Sequence, residues 1–176
     1  MMDELFKNNA YKILELFIEF PRKDFSVRGI ARMLKISHAT VLKYLTEIQN
    51  KGFVNKNEET LYPTYFANTQ NKEYQFYKKN HLLWAIRNSG LVNGLQKKCL
   101  PSSIILFGSA AKGMDTEKSD IDIFVESEET PISIAEYEKI LKRKINILFE
   151  KNPENLSKEL KNNILNGIIL YGFVKR

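Results

Sequence analysis

Asp120 and Asp122 stand two residues apart in the run Ser119-Asp120-Ile121-Asp122-Ile123. Extended backbone alternates its side chains, so this spacing sets both carboxylates on one face and Ile121 and Ile123 on the other. Carboxylates side by side repel each other, and a divalent cation with oxygen ligands offsets that repulsion. The pair therefore reads as a site for Mg²⁺ (or Mn²⁺), with Asp120 and Asp122 as both the metal ligands and the candidate catalytic residues. A cation held by them and by substrate phosphates would align an attacking hydroxyl and stabilise a leaving pyrophosphate. The segment Phe107-Gly108-Ser109-Ala110-Ala111-Lys112-Gly113 comes shortly before. Gly108 lets backbone approach a phosphate closely. Ser109 brings a hydroxyl and an amide to the start of a helix, a natural place for an anion. Ala110 and Ala111 keep the turn narrow, and Lys112 would either add a charge or simply be solvated. Gly108, Ser109 and Lys112 are thus the candidate nucleotide- and phosphate-binding residues.

The elements that must position these groups follow from the apolar pattern. Ile104-Ile105-Leu106-Phe107 is a continuous apolar run, as in a strand buried on both faces. Ile121, Ile123 and Val125 alternate in a second strand. A helix is predicted over 132–143, a third strand over 145–149 and a closing helix over 156–165, followed by an apolar tail over 168–174. Helices interleaved with strands give an α+β class. Gly-Ser, a short helix, then Asp-x-Asp on the next strand resembles the minimal nucleotidyltransferase family of the DNA polymerase β superfamily. The resemblance covers 91–176 and extends to the closing Asn166-Gly167-Ile168-Ile169-Leu170-Tyr171-Gly172. It implies a nucleoside triphosphate as substrate or ligand, and transfer of a nucleoside monophosphate to a hydroxyl on a protein, nucleic acid or small molecule. The family's third carboxylate falls on the following strand. In Lys144-Ile145-Asn146-Ile147-Leu148 the matching position is Asn146. An amide is neutral, and a poorer Mg²⁺ ligand or base than a carboxylate. Glu150 lies four residues on, roughly 13 Å along a strand, and Glu126 is as far from Asp122. Neither substitutes simply for the missing acid.

The first third reads as helices. Leu5, Phe6, Tyr11, Ile13, Leu14, Phe17 and Ile18 recur at near-helical spacing until Pro21. A second helix starts at Ser26, a good N-cap, with Val27, Ile30, Ala31 and Leu34 inward. A third starts at Ser37, with Val41, Leu42, Leu45 and Ile48 on one face, and Gly52 stops it. Phe53-Val54 and Leu61-Tyr62 flank the polar stretch 55–60, which reads as a hairpin. The stretch resembles a helix-turn-helix with the hairpin of the winged-helix family, over about 5–66. The resemblance implies binding of double-stranded DNA, with Ser37, His38, Thr40 and Lys43 facing the major groove. Residues 26–51 carry five Lys+Arg and one Glu, which suits phosphate; Glu58 and Glu59, at the expected hairpin tip, do not. The expected organisation is a winged helix-turn-helix domain over 1–66, a connecting helix over 67–90 and a minimal nucleotidyltransferase domain over 91–176. His81, among Leu82, Leu83 and Trp84, reads as a packed residue.

Charge divides in the same way. The chain of 176 residues has a formal net charge of +6. Residues 1–100 hold 16 Lys+Arg against 9 Asp+Glu, and residues 101–176 hold 11 against 12. A basic first half fits a polyanionic partner. No apolar run approaches the roughly 20 residues that cross a bilayer, so no membrane role is expected. Cys99 is the single cysteine, which precludes an intrachain disulfide and fits a cytoplasmic setting. The two resemblances imply two readings. One is a DNA-binding enzyme acting on a nucleoside triphosphate, with a homodimer expected on a two-fold symmetric site. The other is a DNA-binding transcriptional regulator, or an antitoxin-like protein with a toxin partner, whose nucleotidyltransferase-fold domain is inactive or only senses nucleotide.

Overall fold

Helix-capping residues and strand-forming runs alternate along the chain, and the computed structural model turns them into a mixed α+β protein with two sheets. It describes residues 8–59 and 62–174. Leu5, Phe6 and Leu61, named above, and the last residue of the stretch 55–60 lie outside the described residues. The chain divides into two units, 1–75 and 76–176.

In the first unit, helix α1 (Asn9–Glu19) starts where the Asn8 side chain accepts the Tyr11 N–H, and it buries Ile13, Leu14, Leu16, Phe17 and Ile18. Ser26 ends the two-residue strand β1 (Phe25–Ser26) and also caps α2 (Val27–Leu34) by accepting the Gly29 N–H. Lys35, left-handed at φ 55°, closes α2 and makes the tight turn. Ser37 then caps α3 (His38–Asn50), its hydroxyl accepting the Thr40 N–H. Strands β2 (Val54–Asn57) and β3 (Thr64–Ala67) pair antiparallel, and β1 joins the far side of β3 to give the order β1-β3-β2.

Three details differ from the pattern-based expectation. The second hairpin arm begins at Thr64, past Tyr62, because the paired residues are Val54↔Ala67 through Asn57↔Thr64. Strand β1 is too short to carry a periodicity. Leu42 is 48% exposed, whereas Val41, Leu45 and Ile48 are buried; three inward positions suffice for this helix. Tyr74 is buried in the first core and donates its hydroxyl to the Phe17 carbonyl at 2.8 Å.

The second unit takes most of helix α4 (Lys72–Ser89), then α5 (Leu91–Cys99), β4 (Ser103–Phe107), the single-turn α6 (Gly108–Ala111), β5 (Ile121–Val125), α7 (Ala135–Leu141), β6 (Ile145–Phe149), a 3₁₀ turn at Pro153–Asn155, α8 (Lys158–Leu165) and β7 (Ile168–Gly172). The sheet order is β6-β5-β4-β7, with β5 and β6 parallel and the other pairs antiparallel. Every residue of β4 is buried, because each face of the sheet is covered. Ile104, Leu106, Ile121, Ile123 and Val125 pack with Leu82, Ile86, Leu91 and Leu95 on one face. Ile105, Phe107 and Phe124 pack with Ile164 on the other. The expected tail is in fact strand β7, which pairs with β4 through a register shift at Ile104/Ile105. The predicted helix over 132–143 is shorter: it begins at Ala135, and Lys142, left-handed at φ 52°, ends it. Among the described residues, no helix is long and apolar enough to cross a membrane.

Candidate active site

One transverse row of the second sheet builds the site. Phe107, the last residue of β4, is the register partner of Asp122, and Asp122 is the partner of Asn146. The buried isoleucines hold β5 from the opposite side, so Asp122 projects from the other face, partly exposed, beside the end of β4. Asp120 is exposed and lies just before β5. The Asn146 amide joins the two: its Nδ2 donates to Asp120 Oδ2 at 3.1 Å and to Asp122 Oδ1 at 3.2 Å. Two carboxylate oxygens thus converge on one positively polarised hydrogen-bond donor. A small cation would occupy such a convergence point, and two carboxylates with an amide oxygen within one rotation of it form a hard oxygen donor set suited to Mg²⁺.

Gly108 stands against this pair. Its φ is 74°, and a Cβ added there would lie 2.6 Å from Asp122 Oδ2. Any side chain would be strained in the left-handed region and would also push on the carboxylate. The glycine therefore brings the Gly-Ser turn directly onto Asp122. Ser109 is partly exposed in the single turn that follows, and its carbonyl accepts the N–H groups of Lys112 and Met114. The Lys112 side chain is exposed at the end of that turn. The two distant acids serve elsewhere: Glu126 accepts from the Ser103 hydroxyl, and Glu150 accepts from Asn152 and Asn155.

Neighbouring groups fix the strands that carry the row. The Glu138 carboxylate accepts the Ile145 N–H at 3.1 Å and the Lys144 ammonium at 3.3 Å. The backbone bond, with the Lys144 contact, holds this carboxyl below the usual carboxylate range. It fastens α7 to the start of β6, one residue before Asn146. Sequence reasoning missed a further cluster, Lys78, Asp115 and Arg143. Asp115 Oδ2 lies 2.5 Å from Arg143 Nη1 and 3.6 Å from the Lys78 ammonium. Burial pushes the Lys78 ammonium below the usual lysine range, with Asp115 opposing that shift. No spacing in the chain announces this cluster, since Asp115 and Arg143 are 28 positions apart.

In the first unit, Ser37, His38 and Lys43 are exposed and Thr40 is partly exposed, all on or next to the first two turns of α3. The Ser37 hydroxyl, which caps α3, also lies within hydrogen-bond distance of the Thr40 hydroxyl, at 2.8 Å.

A family model described as "Polymerase beta, Nucleotidyltransferase" matches residues 90–173. A protein of Methanocaldococcus jannaschii, named as a putative protein adenylyltransferase, is 44% identical over 69 residues, which are 35% of this chain and 69% of the relative. No solved structure matches the chain.

Proposed function

The chain belongs to the polymerase β nucleotidyltransferase family, and from that premise we propose that its second unit binds a nucleoside triphosphate with a divalent cation and transfers the nucleoside monophosphate to a hydroxyl of a partner protein. The observation that carries this reading is the convergence of Asp120, Asp122 and the Gly108 turn at one end of the sheet. Asp120 and Asp122 would hold Mg²⁺, and the metal when bound neutralises phosphate charge and orients the reacting groups. Gly108 and Ser109 cradle the phosphates with backbone, and the exposed Lys112 adds charge at the rim. The acceptor oxygen attacks the α-phosphorus, the bond from that phosphorus to the β-phosphate oxygen breaks, and pyrophosphate leaves with the electron pair. The hydroxyl proton passes to a carboxylate or to water, because the Asn146 amide cannot accept it. An adenylyl group and a protein acceptor are the favoured choices, following the name of the M. jannaschii relative. Incubation with Mg²⁺ and ATP labelled at the α-phosphate should label the acceptor protein, whereas γ-labelled ATP should not. Equal labelling from both positions would point to a kinase and end this reading.

Asn146 favours a second reading, in which nucleotide is bound and sensed but transferred slowly. Its amide bonds to both aspartates, and the resemblance to the family would put a third acid at this position.

We further propose that the first unit is a winged helix that binds double-stranded DNA as a homodimer, with Ser37, His38, Thr40 and Lys43 at the major groove and the Ser37 hydroxyl also capping α3. The exposed positions on α3 and the antiparallel strands after it support this. Affinity for a selected duplex should fall as salt rises, with a log–log slope of about −0.9 for each phosphate neutralised. Lys43→Ala should make that slope shallower by about 1. A salt-independent affinity, or no enriched sequence on selection from random duplexes, would contradict the DNA reading.

A further inference from the structure

The cluster of Lys78, Asp115 and Arg143 has no part in the chemistry described so far, yet its geometry leads to the site. Asp115 is 5% exposed and sits in the loop between α6 and β5. One of its oxygens meets both cations, while Oδ1 is buried with no hydrogen-bond partner among the described residues. Arg143 also reaches backbone: Nε donates to the Ser119 carbonyl at 2.9 Å and Nη2 to the Asp120 carbonyl at 3.2 Å. One guanidinium therefore ties a buried anion to the two peptides that precede β5.

Those peptides need such a tie. The ladder between β5 and β6 starts at Ile121↔Ile145, so Asp120 lies outside it. The loop before it is a local turn in which the Thr116 N–H donates to the Ser119 hydroxyl and the Ser119 N–H to the Thr116 carbonyl. Such a turn holds its own shape without fixing where it sits against the strands. A buried ion pair is also a poor choice for stability alone, because desolvation cancels most of its attraction. A planar fork that reaches an anion and two carbonyls at once is, by contrast, well suited to fixing a position, and the point charge of a lysine is not.

We propose that Arg143, anchored by Asp115, is a positioning residue of the metal–nucleotide site: it fixes the Ser119 and Asp120 peptides and so aims the Asp120 carboxylate beside that of Asp122. The inference rests on the proposed function above. It extends the site to residues that touch neither metal nor nucleotide.

Calorimetry of Mn²⁺–ATP binding to the whole chain, at a temperature well below unfolding, tests it on wild type, Arg143→Lys and Asp122→Ala. Arg143→Lys keeps a cation for Asp115 but loses the fork, so binding should weaken about 10-fold in a protein still folded by circular dichroism. A merely structural role would lower the Tm and leave the affinity of the folded protein unchanged; that outcome overturns the proposal. No Mn²⁺–ATP binding by wild type would instead sink the proposed function, and this inference with it. Should Arg143→Lys fail to fold, the wild-type Arg143 Nε–H resonance answers the same question. It should move on titration with Mg²⁺–ATP, and a resonance that stays still overturns the proposal.

Discussion

Asp122→Ala should weaken binding of Mg²⁺–ATP by about 100-fold or more, equivalent to about 2.7 kcal/mol or more, and should do so in a protein that remains folded. Residues that only orient a metal's ligands typically change metal affinity by about 10–100-fold when replaced, and Asp122 is placed to be a ligand itself. The fold should tolerate the change. Asp122 is only partly exposed, but it shares its amide donor with Asp120, so Asn146 keeps one partner when the other is removed. Losing one of two adjacent like charges also relieves repulsion. Stability should therefore stay within about 0.5 kcal/mol of wild type, the range of ordinary surface substitutions. Calorimetry checks the affinity and thermal unfolding checks the fold. Undiminished binding of metal–nucleotide by Asp122→Ala would move the site away from this pair.

Asn146→Asp should have the opposite effect on catalysis. The wild-type amide donates to both aspartates and can neither accept the acceptor's proton nor add charge to a metal site. A carboxylate there supplies a base and a third anionic ligand, and a positioned base contributes about 10²–10⁴-fold in rate. Transfer from α-labelled ATP should rise about 10-fold or more, a conservative share of that range. Without metal the variant should be less stable than wild type by about 1–3 kcal/mol, since two hydrogen bonds to charged groups give way to repulsion. Added Mg²⁺ should restore most of that loss, because a ligand that binds only the folded state stabilises it. Parallel unfolding curves with Mg²⁺ and with chelator, together with a side-by-side transfer assay, test both halves. Robust transfer by wild type that Asn146→Asp abolishes would show that Asn146 does not occupy the third-acid position.

The parts of this account that are legible in the sequence are those whose signal is local. Asp122 takes the face opposite Ile121 and Ile123 because extended backbone has a period of two, and those isoleucines face a covered side of the sheet; Asp120 lies just before β5, and what brings its carboxylate to that of Asp122 is the shared Asn146 amide. Ser26 and Ser37 mark helix starts because the caps they make reach only three residues ahead. The run 104–107 announces a strand covered on both faces. What the sequence hides depends on long-range partners. Strand β1 has two residues and exists because β3 pairs with it. Strand β7 reads as a tail until β4 supplies its hydrogen bonds. Leu42 looks like core from its neighbours, yet the structure leaves it exposed. Arg143 reads as the basic end of a helix, and only the fold brings it to Asp115 and to the carbonyl before Ile121. The Asn146 position is an intermediate case. The residue is visible in the strand pattern, but its bonds to both aspartates need the parallel register Asp122↔Asn146.

The central claim is that the carboxylate pair and the Gly108 turn form a metal-dependent nucleotide site. A calorimetric titration of the wild-type chain with ATP, in Mg²⁺ and again in excess chelator, tests it most directly. Saturable binding with one nucleotide per chain is expected in Mg²⁺, and a loss of at least about 10-fold in affinity without it, since the carboxylates then repel the phosphates. Binding of equal strength in chelator, or no binding in either condition, would contradict it.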